Sequence, residues 1–465
     1  MSTATQSISP VSHFYSAVWR WHFYIGALVI PFLFMLALSG LLMLLSQPLD
    51  DYLNRDLLRV EPSTEHIPAT TMLQQVQSKY PHASVKLYLP PPQEDASARF
   101  SLQPHSAKGH GGHNAPSTLV YLNPYTDQIL GAQDPANSLY AKVKTFHGSL
   151  YIGDTGDNLI EIAAGLGILM IITGLYLAWP KAGWRSLLPS RSFADRADWR
   201  RWHLSIGWLI AVPLLFFLIS GLAWTNVWGG KLVQPWGSLP GTRFEAPAQP
   251  ASDKPNATEH ASMNETGLHR VPWALEQTPL PESSGNTNRL QLDDVVKLAR
   301  AQGFDNFRVH LPQGDSGVWT VSATTIAGDV TNPASERILH IDQSNAAILA
   351  DIRFTDYPAM GKAMAASIPF HQGDLGLWNW LLNLLLVLMV IALIISGATL
   401  WWKRQPRMSP PKAEPAPARA VTGIMLLIAL CFPLSAAALA CIVILDALAV
   451  WLKPFLPTRA SEDRC

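Results

Sequence analysis

Five runs of mostly apolar residues, at about 23–45, 158–179, 204–226, 378–402 and 421–452, decide what this chain can be. Each reaches the ~20 residues that carry a helix across ~30 Å of hydrocarbon. Backbone polar groups in lipid must be satisfied within their own segment, so each run is read as a helix. The first is too long for the apolar core of a cleavable signal, and no small-x-small site follows it. The fifth contains Pro433, is too short for two full spans, and is expected as one helix with an overhang. Hydrophobic residues make up 48% of the chain and charged ones 15%, which disfavours an ordinary soluble protein.

Basic residues near the helix ends orient the chain. Lys181, Arg185, Arg191, Arg196, Arg200 and Arg201 precede the third run, and Lys403, Arg404, Arg407, Lys412 and Arg419 precede the fifth. Both loops, and with them the N-terminus, are expected in the cytoplasm. The expected order is a span at 15–46, an outside module at 47–145, a histidine motif and span at 146–180, and a cytoplasmic loop at 181–202. A span at 203–226 follows, then a second outside module at 227–369 with a flexible loop at 237–288. A histidine motif and span at 370–403, a cytoplasmic loop at 404–420 and the fifth span at 421–452 complete it.

The pattern repeats. Arg20-Trp21-His22 returns as Arg201-Trp202-His203, and Ser39-Gly40 and Ser220-Gly221 each begin seventeen residues after the histidine. Phe146-His147 leads to Thr173-Gly174, and Phe370-His371 leads to Ser396-Gly397. The unit is helix, outside domain, helix, occurring twice in the same orientation, so the repeat is parallel about an axis along the membrane normal. Each outside segment has a short helix (70–80 and 292–302) and three strands (84–89, 98–103 and 118–122; 307–311, 318–323 and 338–341), an α+β pattern. The expected fold is an α-helical integral membrane bundle of two such repeats plus a fifth helix, with two small α+β modules outside.

Histidines beside a span are costly and usually functional. Equivalent residues face each other across a pseudo-two-fold axis, so His22 pairs with His203 at the inner level and His147 with His371 at the outer level. Each pair can supply both axial ligands of a haem iron, giving two b-type, bis-histidine haems. Within one repeat, His22 and His147 are separated by the hydrocarbon core and cannot share an iron. Gly26 and Gly207 lie at i+4 from the inner histidines, where a missing side chain admits a porphyrin edge. Gly40 and Gly221 lie about 25 Å farther along, at the outer level, and Gly174 and Gly397 are level with the inner pair. The alternative is helix packing by small residues and interfacial anchoring by histidine. Gly165 and Gly167 have no counterpart in the second repeat.

Other chemistries are closed or weak. With 34 Lys+Arg against 34 Asp+Glu there is no net charge to attract nucleic acid. The three cysteines, Cys431, Cys441 and Cys465, form no CxxC or CxxCH, which excludes covalently attached haem and cysteine-ligated iron–sulfur. His105, His110 and His113 lack a nearby carboxylate or thiolate for a metal site. No GxGxxG follows a strand, so an electron donor must be external.

Phe-His-Gly-Ser-Leu-Tyr-Ile-Gly-Asp (146–154), Thr-Gly-Leu-Tyr-Leu-Ala-Trp-Pro (173–180), Phe-His-Gln-Gly-Asp-Leu-Gly (370–376) and Trp-Trp-Lys-Arg (401–404), with the two Arg-Trp-His motifs, resemble the PepSY-associated transmembrane family. The resemblance covers about 15–405. It implies a bacterial inner-membrane protein, multi-pass, with PepSY-like periplasmic modules. It also implies, from some members, a haem-dependent ferric-siderophore reductase serving iron acquisition; with no nucleotide-binding motif in the sequence, the external donor is expected to be a cytoplasmic reductase or a quinol. The competing readings are a haem-free PepSY-type binding or regulatory protein, and a transporter. The transporter is disfavoured because Glu161 and Asp446 are nearly the only acidic residues in the spans.

Overall fold

The computed structural model describes residues 10–105, 117–180, 183–233, 260, 263, 271–272, 274–276, 278–284, 289–404 and 415–452. Among the described residues, four helices are long and apolar enough to cross a membrane: α1 (Pro10–Leu53), α5 (Asp154–Leu177), α6 (Arg196–Leu222) and α9 (Leu377–Trp402). The chain divides into two compact units. One comprises Met1–Leu38, His147–Val233 and Leu386–Cys465, the other Ser39–Phe146 and Gln234–Leu385.

The first unit is helical. Ile25 and Val29 of α1, Leu166 and Leu169 of α5, Ile210 of α6 and Ile394 of α9 share one buried core. α6 opens with a reciprocal cap, in which Asp195 accepts from the Asp198 N–H at 2.8 Å and Asp198 from the Asp195 N–H at 3.4 Å. Glu161 is buried in α5, where one carboxylate oxygen accepts from the backbone N–H groups of Val227 and Trp228 at 3.1 and 3.0 Å. An acidic side chain inside an apolar helix is thus committed to holding the chain that leaves α6.

The fifth apolar run differs from expectation. It is two helices, α10 (Pro415–Ala429) and α11 (Pro433–Leu452). The break follows from Pro433, which is compatible with a first helical position and hostile to an interior one. Tertiary contacts hold the bend: Trp228 Nε1 donates to the Cys431 carbonyl at 3.0 Å, and Ser435 Oγ to the Ile162 carbonyl at 3.1 Å. Gly165 admits α11 here, because a Cβ on it would lie 2.2 Å from Ser435 Oγ.

In the second unit the strands of both expected modules belong to one eight-stranded antiparallel sheet, in the order β4-β3-β2-β1-β5-β6-β7-β8. The first half is β1 (Ala83–Leu89), β2 (Ala98–Pro104), β3 (Thr118–Leu122) and β4 (Ile129–Gln133). The second is β5 (Arg308–His310), β6 (Val318–Ala323), β7 (Arg337–Asp342) and β8 (Ile348–Arg353). They join where Leu87 and Tyr88 of β1 pair with His310 and Val309 of β5, so each half satisfies the other's open edge. The helices α3 (Ala69–Lys79) and α7 (Leu292–Ala301) cover one face and share a core that includes Val76, Phe100, Val295 and Val309. They cap each other: the Asp293 carboxylate accepts from the N–H groups of Ala69 and Thr70 at 2.7 and 3.1 Å, and Thr70 Oγ1 from the Asp293 N–H at 3.3 Å. The strands β4 and β8 were not among the six expected; they are the sheet's outer edges, and β4 has no fully buried residue to mark it.

Candidate functional site

Within the helical unit, His22 of α1 and His203 of α6 lie within electrostatic reach of each other. Their surroundings repeat atom for atom. His22 Nδ1 is 2.9 Å from Thr173 Oγ1 of α5, and His203 Nδ1 is 2.9 Å from Ser396 Oγ of α9. The Thr173 hydroxyl lies 2.9 Å from the Leu169 carbonyl and 3.0 Å from that of Met170. That of Ser396 lies 2.7 Å from the Leu393 carbonyl. A hydroxyl has one proton, and the carbonyls take it, so each hydroxyl must accept from the imidazole. This assigns both histidines the Nδ1–H form, with the lone pair on Nε2. It is the arrangement that orients a metal-ligating histidine.

The glycines divide by what faces them. A Cβ on Gly174 would lie 3.1 Å from His22 Cε1, and one on Gly397 3.3 Å from His203 Cε1. The room that these two leave is therefore taken by the imidazoles. Gly26 and Gly207 stand in more open space, where an added Cβ would meet one atom each, Met170 Sδ at 3.8 Å and Leu393 Cδ1 at 3.6 Å. Gly40 and Gly221 are half-buried on α1 and α6. Gly165 and Gly167 are packing glycines, the second with Leu218 Cδ1 3.2 Å from its Cβ position. The Thr/Ser-Gly pairs recur in the sequence, but recurrence alone does not assign their hydroxyls to the histidines. The signal was available, since each pair falls at the depth of a histidine on the neighbouring helix.

His147 and His371 occupy matching local positions. His147 lies near the end of α4 (Leu139–Ser149), and left-handed backbone at Leu150, Tyr151 and Gly153 turns the chain into α5. His371 lies near the end of α8 (Ala359–Gln372), and Gly373 and Gly376, with φ of 89° and 95°, turn it into α9. These φ values favour glycine. The His147 imidazole is hydrogen-bonded to the backbone of Leu36. The His371 backbone is pinned by Asn383, whose Nδ2 donates to the carbonyls of Phe370 and His371 at 2.7 and 3.2 Å. The two histidines belong to different units. His105 is exposed, and His110 and His113 lie outside the described residues, as does most of 237–288.

A second histidine cluster, not anticipated from the sequence, lies in the sheet unit. His260 Nε2 is 2.9 Å from His340 Nε2, His260 Nδ1 is 2.7 Å from the Thr278 carbonyl, and His340 Nδ1 is 2.8 Å from Thr320 Oγ1. A carbonyl only accepts, so His260 donates through Nδ1 and accepts from His340 through Nε2, leaving both rings neutral and satisfied. Burial holds His260 down to about 4, and burial together with His260 and His310 holds His340 well below the usual 6.5. The unfolded chain takes up these protons first as pH falls, so stability is lost between about 6.5 and about 4, by up to ~1.4 kcal/mol per pH unit for each ring. Buried Asp329 and Glu336, whose carboxyl pKa values burial raises, contribute with the opposite sign. The wild type compared with His340→Gln isolates the histidine part. The Tm difference between pH 7.5 and 5 should shrink in the variant, and an unchanged difference would contradict this assignment.

A family model described as the PepSY-associated TM region matches residues 19–404. No curated protein matches the chain.

Proposed function

The chain belongs to the family of the PepSY-associated TM region, and from that premise we propose that it is a haem-containing oxidoreductase of the bacterial inner membrane, passing electrons to a periplasmic ferric chelate such as a siderophore. In this reading the N-terminus is cytoplasmic, the two long polar segments are periplasmic, and the donor is a cytoplasmic reductase or a quinol. His22 and His203 hold one b-type haem, and His147 and His371 the other.

The observation that carries the reading is the duplicated imidazole, hydroxyl and glycine set on α1/α5 and α6/α9. Bound haem supplies a one-electron carrier that cycles between ferric and ferrous iron. The protein's part is positional. Thr173 and Ser396 hold Nδ1–H so that Nε2 is the ligating atom, Gly174 and Gly397 let the rings stand upright against the neighbouring helix, and Gly26 and Gly207 leave the histidine face open. The surrounding apolar core keeps water from the ligands.

The absorption spectrum of the full-length protein in detergent tests the reading. The expected result is a b-type spectrum, with two haems per chain, that changes on reduction. Protein expressed with ample haem and purified without any would overturn it.

A further inference from the structure

The sheet face opposite α3 and α7 is apolar at both ends, and in its middle polar side chains flank Leu87 and Leu89 of β1, which are buried in the same cluster as Leu119 and Tyr121. Leu57, Leu58 and Leu130 pack on Leu119 and Tyr121 toward β4, and Leu275 and Tyr357 pack on Ile338 and Ile352 toward β8. Between these caps the register lines up polar side chains. Arg99 of β2 pairs with Leu89 of β1, and one residue beyond the Tyr88–Val309 pair the same register places Arg308 of β5 beside Leu89. Two residues along, Ser101 pairs with Leu87, Leu87 with His310, and His310 with Thr320. Arg99 and Ser101 alternate with the core residues Phe100 and Leu102, and Arg308 and His310 flank the core residue Val309, so all four lie on this second face.

Two groups here lack partners among the described residues. Arg308 is neutralised: its Nε meets Asp329 Oδ1 at 2.7 Å, and its guanidinium also donates to the Ala327 carbonyl. Among the described residues Arg99 has no hydrogen-bond or ion-pair partner. Desolvation, then the Arg308 charge, lowers its basicity, while Tyr121, Asp329 and the exposed Asp51 act in the other direction. The residue nevertheless keeps some contact with solvent. Ser101, in the next row, is fully buried, and its Oγ has no partner. A native fold leaves few such groups unsatisfied, and an uncompensated guanidinium is among the costliest.

We propose that this patch binds a carboxylate of a small anionic ligand, with the Arg99 guanidinium as a two-pronged donor and the Ser101 hydroxyl as a second donor. The donor geometry selects the class. The planar guanidinium fork matches a planar carboxylate. Taken with the function proposed above, the ligand is a ferric polycarboxylate chelate. That identification rests on the reductase reading, whereas carboxylate binding does not.

The test uses full-length protein in detergent, iron-free radiolabelled citrate and equilibrium dialysis. Wild type should bind citrate at one saturable site, and equimolar phosphate should not displace it. Arg99→Gln should weaken binding by about tenfold or more, and Arg99→Lys should also weaken it because the fork is lost. Without ligand, Arg99→Gln should melt at or above the wild-type Tm, since it removes an unpaired, crowded charge. If that variant fails to fold, Ser101→Ala takes its place and should also weaken binding. No citrate binding by wild type, binding unaffected by Arg99→Gln or Ser101→Ala, or equal competition by phosphate would each overturn the proposal. Failure of the reductase reading is seen separately, as a missing haem spectrum in protein that still binds citrate.

Discussion

His22→Ala and His203→Ala should each yield protein that has lost one haem and kept the other. An alanine would remove one of the two imidazoles proposed to hold the iron, and the opposite imidazole alone would hold it poorly. His147→Ala or His371→Ala should remove the other haem. On the reading proposed above the consequences for electron flow differ, because carriers at two depths of a ~30 Å core would act in series. In inverted vesicles given a cytoplasmic donor, His147→Ala should leave the remaining haem reducible while ferrous iron production stops. His22→Ala should keep its remaining haem, but that haem should be cut off from the donor. If the haem left in His22→Ala is still reduced from the cytoplasmic side at the wild-type rate, the series path is wrong. Entry from a quinol near the outer face then becomes the better account.

Gly174→Leu and Gly397→Leu should be nearly as damaging, although neither residue is a ligand. At both positions even a Cβ would press on the imidazole Cε1, at 3.1 and 3.3 Å, and a leucine adds three more carbons in the same direction. The ring must swing away, taking Nε2 off its axis. Gly423→Leu is the control, because nothing lies within 4 Å of its Cβ position. Gly165→Leu is not a usable control, since its clash with Ser435 would disrupt the seat of α11. A gentler pair separates ring support from helix packing: Thr173→Val and Ser396→Ala keep the volume roughly intact and remove the hydroxyl, and should weaken haem retention by about 10–100-fold. Haem content measured against protein, with Tm in parallel, decides the matter. Equal haem loss in Gly174→Leu and Gly423→Leu would indicate general damage to the helices instead.

The apolar runs and the repeated motifs were legible in the sequence because each is a local property. Hydropathy summed over twenty residues is enough to recognise a span, and helices α1, α5, α6 and α9 lie where those sums placed them. The pairing of Arg-Trp-His with a later Thr/Ser-Gly was visible as recurrence, and with it the candidate histidines. Six of the eight strands were also found, by alternation of apolar and polar residues.

What only the tertiary structure decided depends on partners distant in the chain. Thr173 is 151 residues from His22, and Ser396 is 193 from His203; until α1 met α5 and α6 met α9, nothing tied a hydroxyl to a ring or selected the Nδ1–H form. The strand β1 carries no mark that its free edge will take β5, more than two hundred residues later, because edge pairing uses backbone groups that every residue has. The fifth run was apolar throughout, and Pro433 permitted either a kink or a break; Trp228 and Ser435 hold the break by bonding across to Cys431 and Ile162. Arg99 and Arg308 are separated by some two hundred residues, and become neighbours in charge only when the two half-sheets fuse. Local composition therefore determined which segments enter the membrane and which residues recur, while long-range pairing determined which of those residues meet.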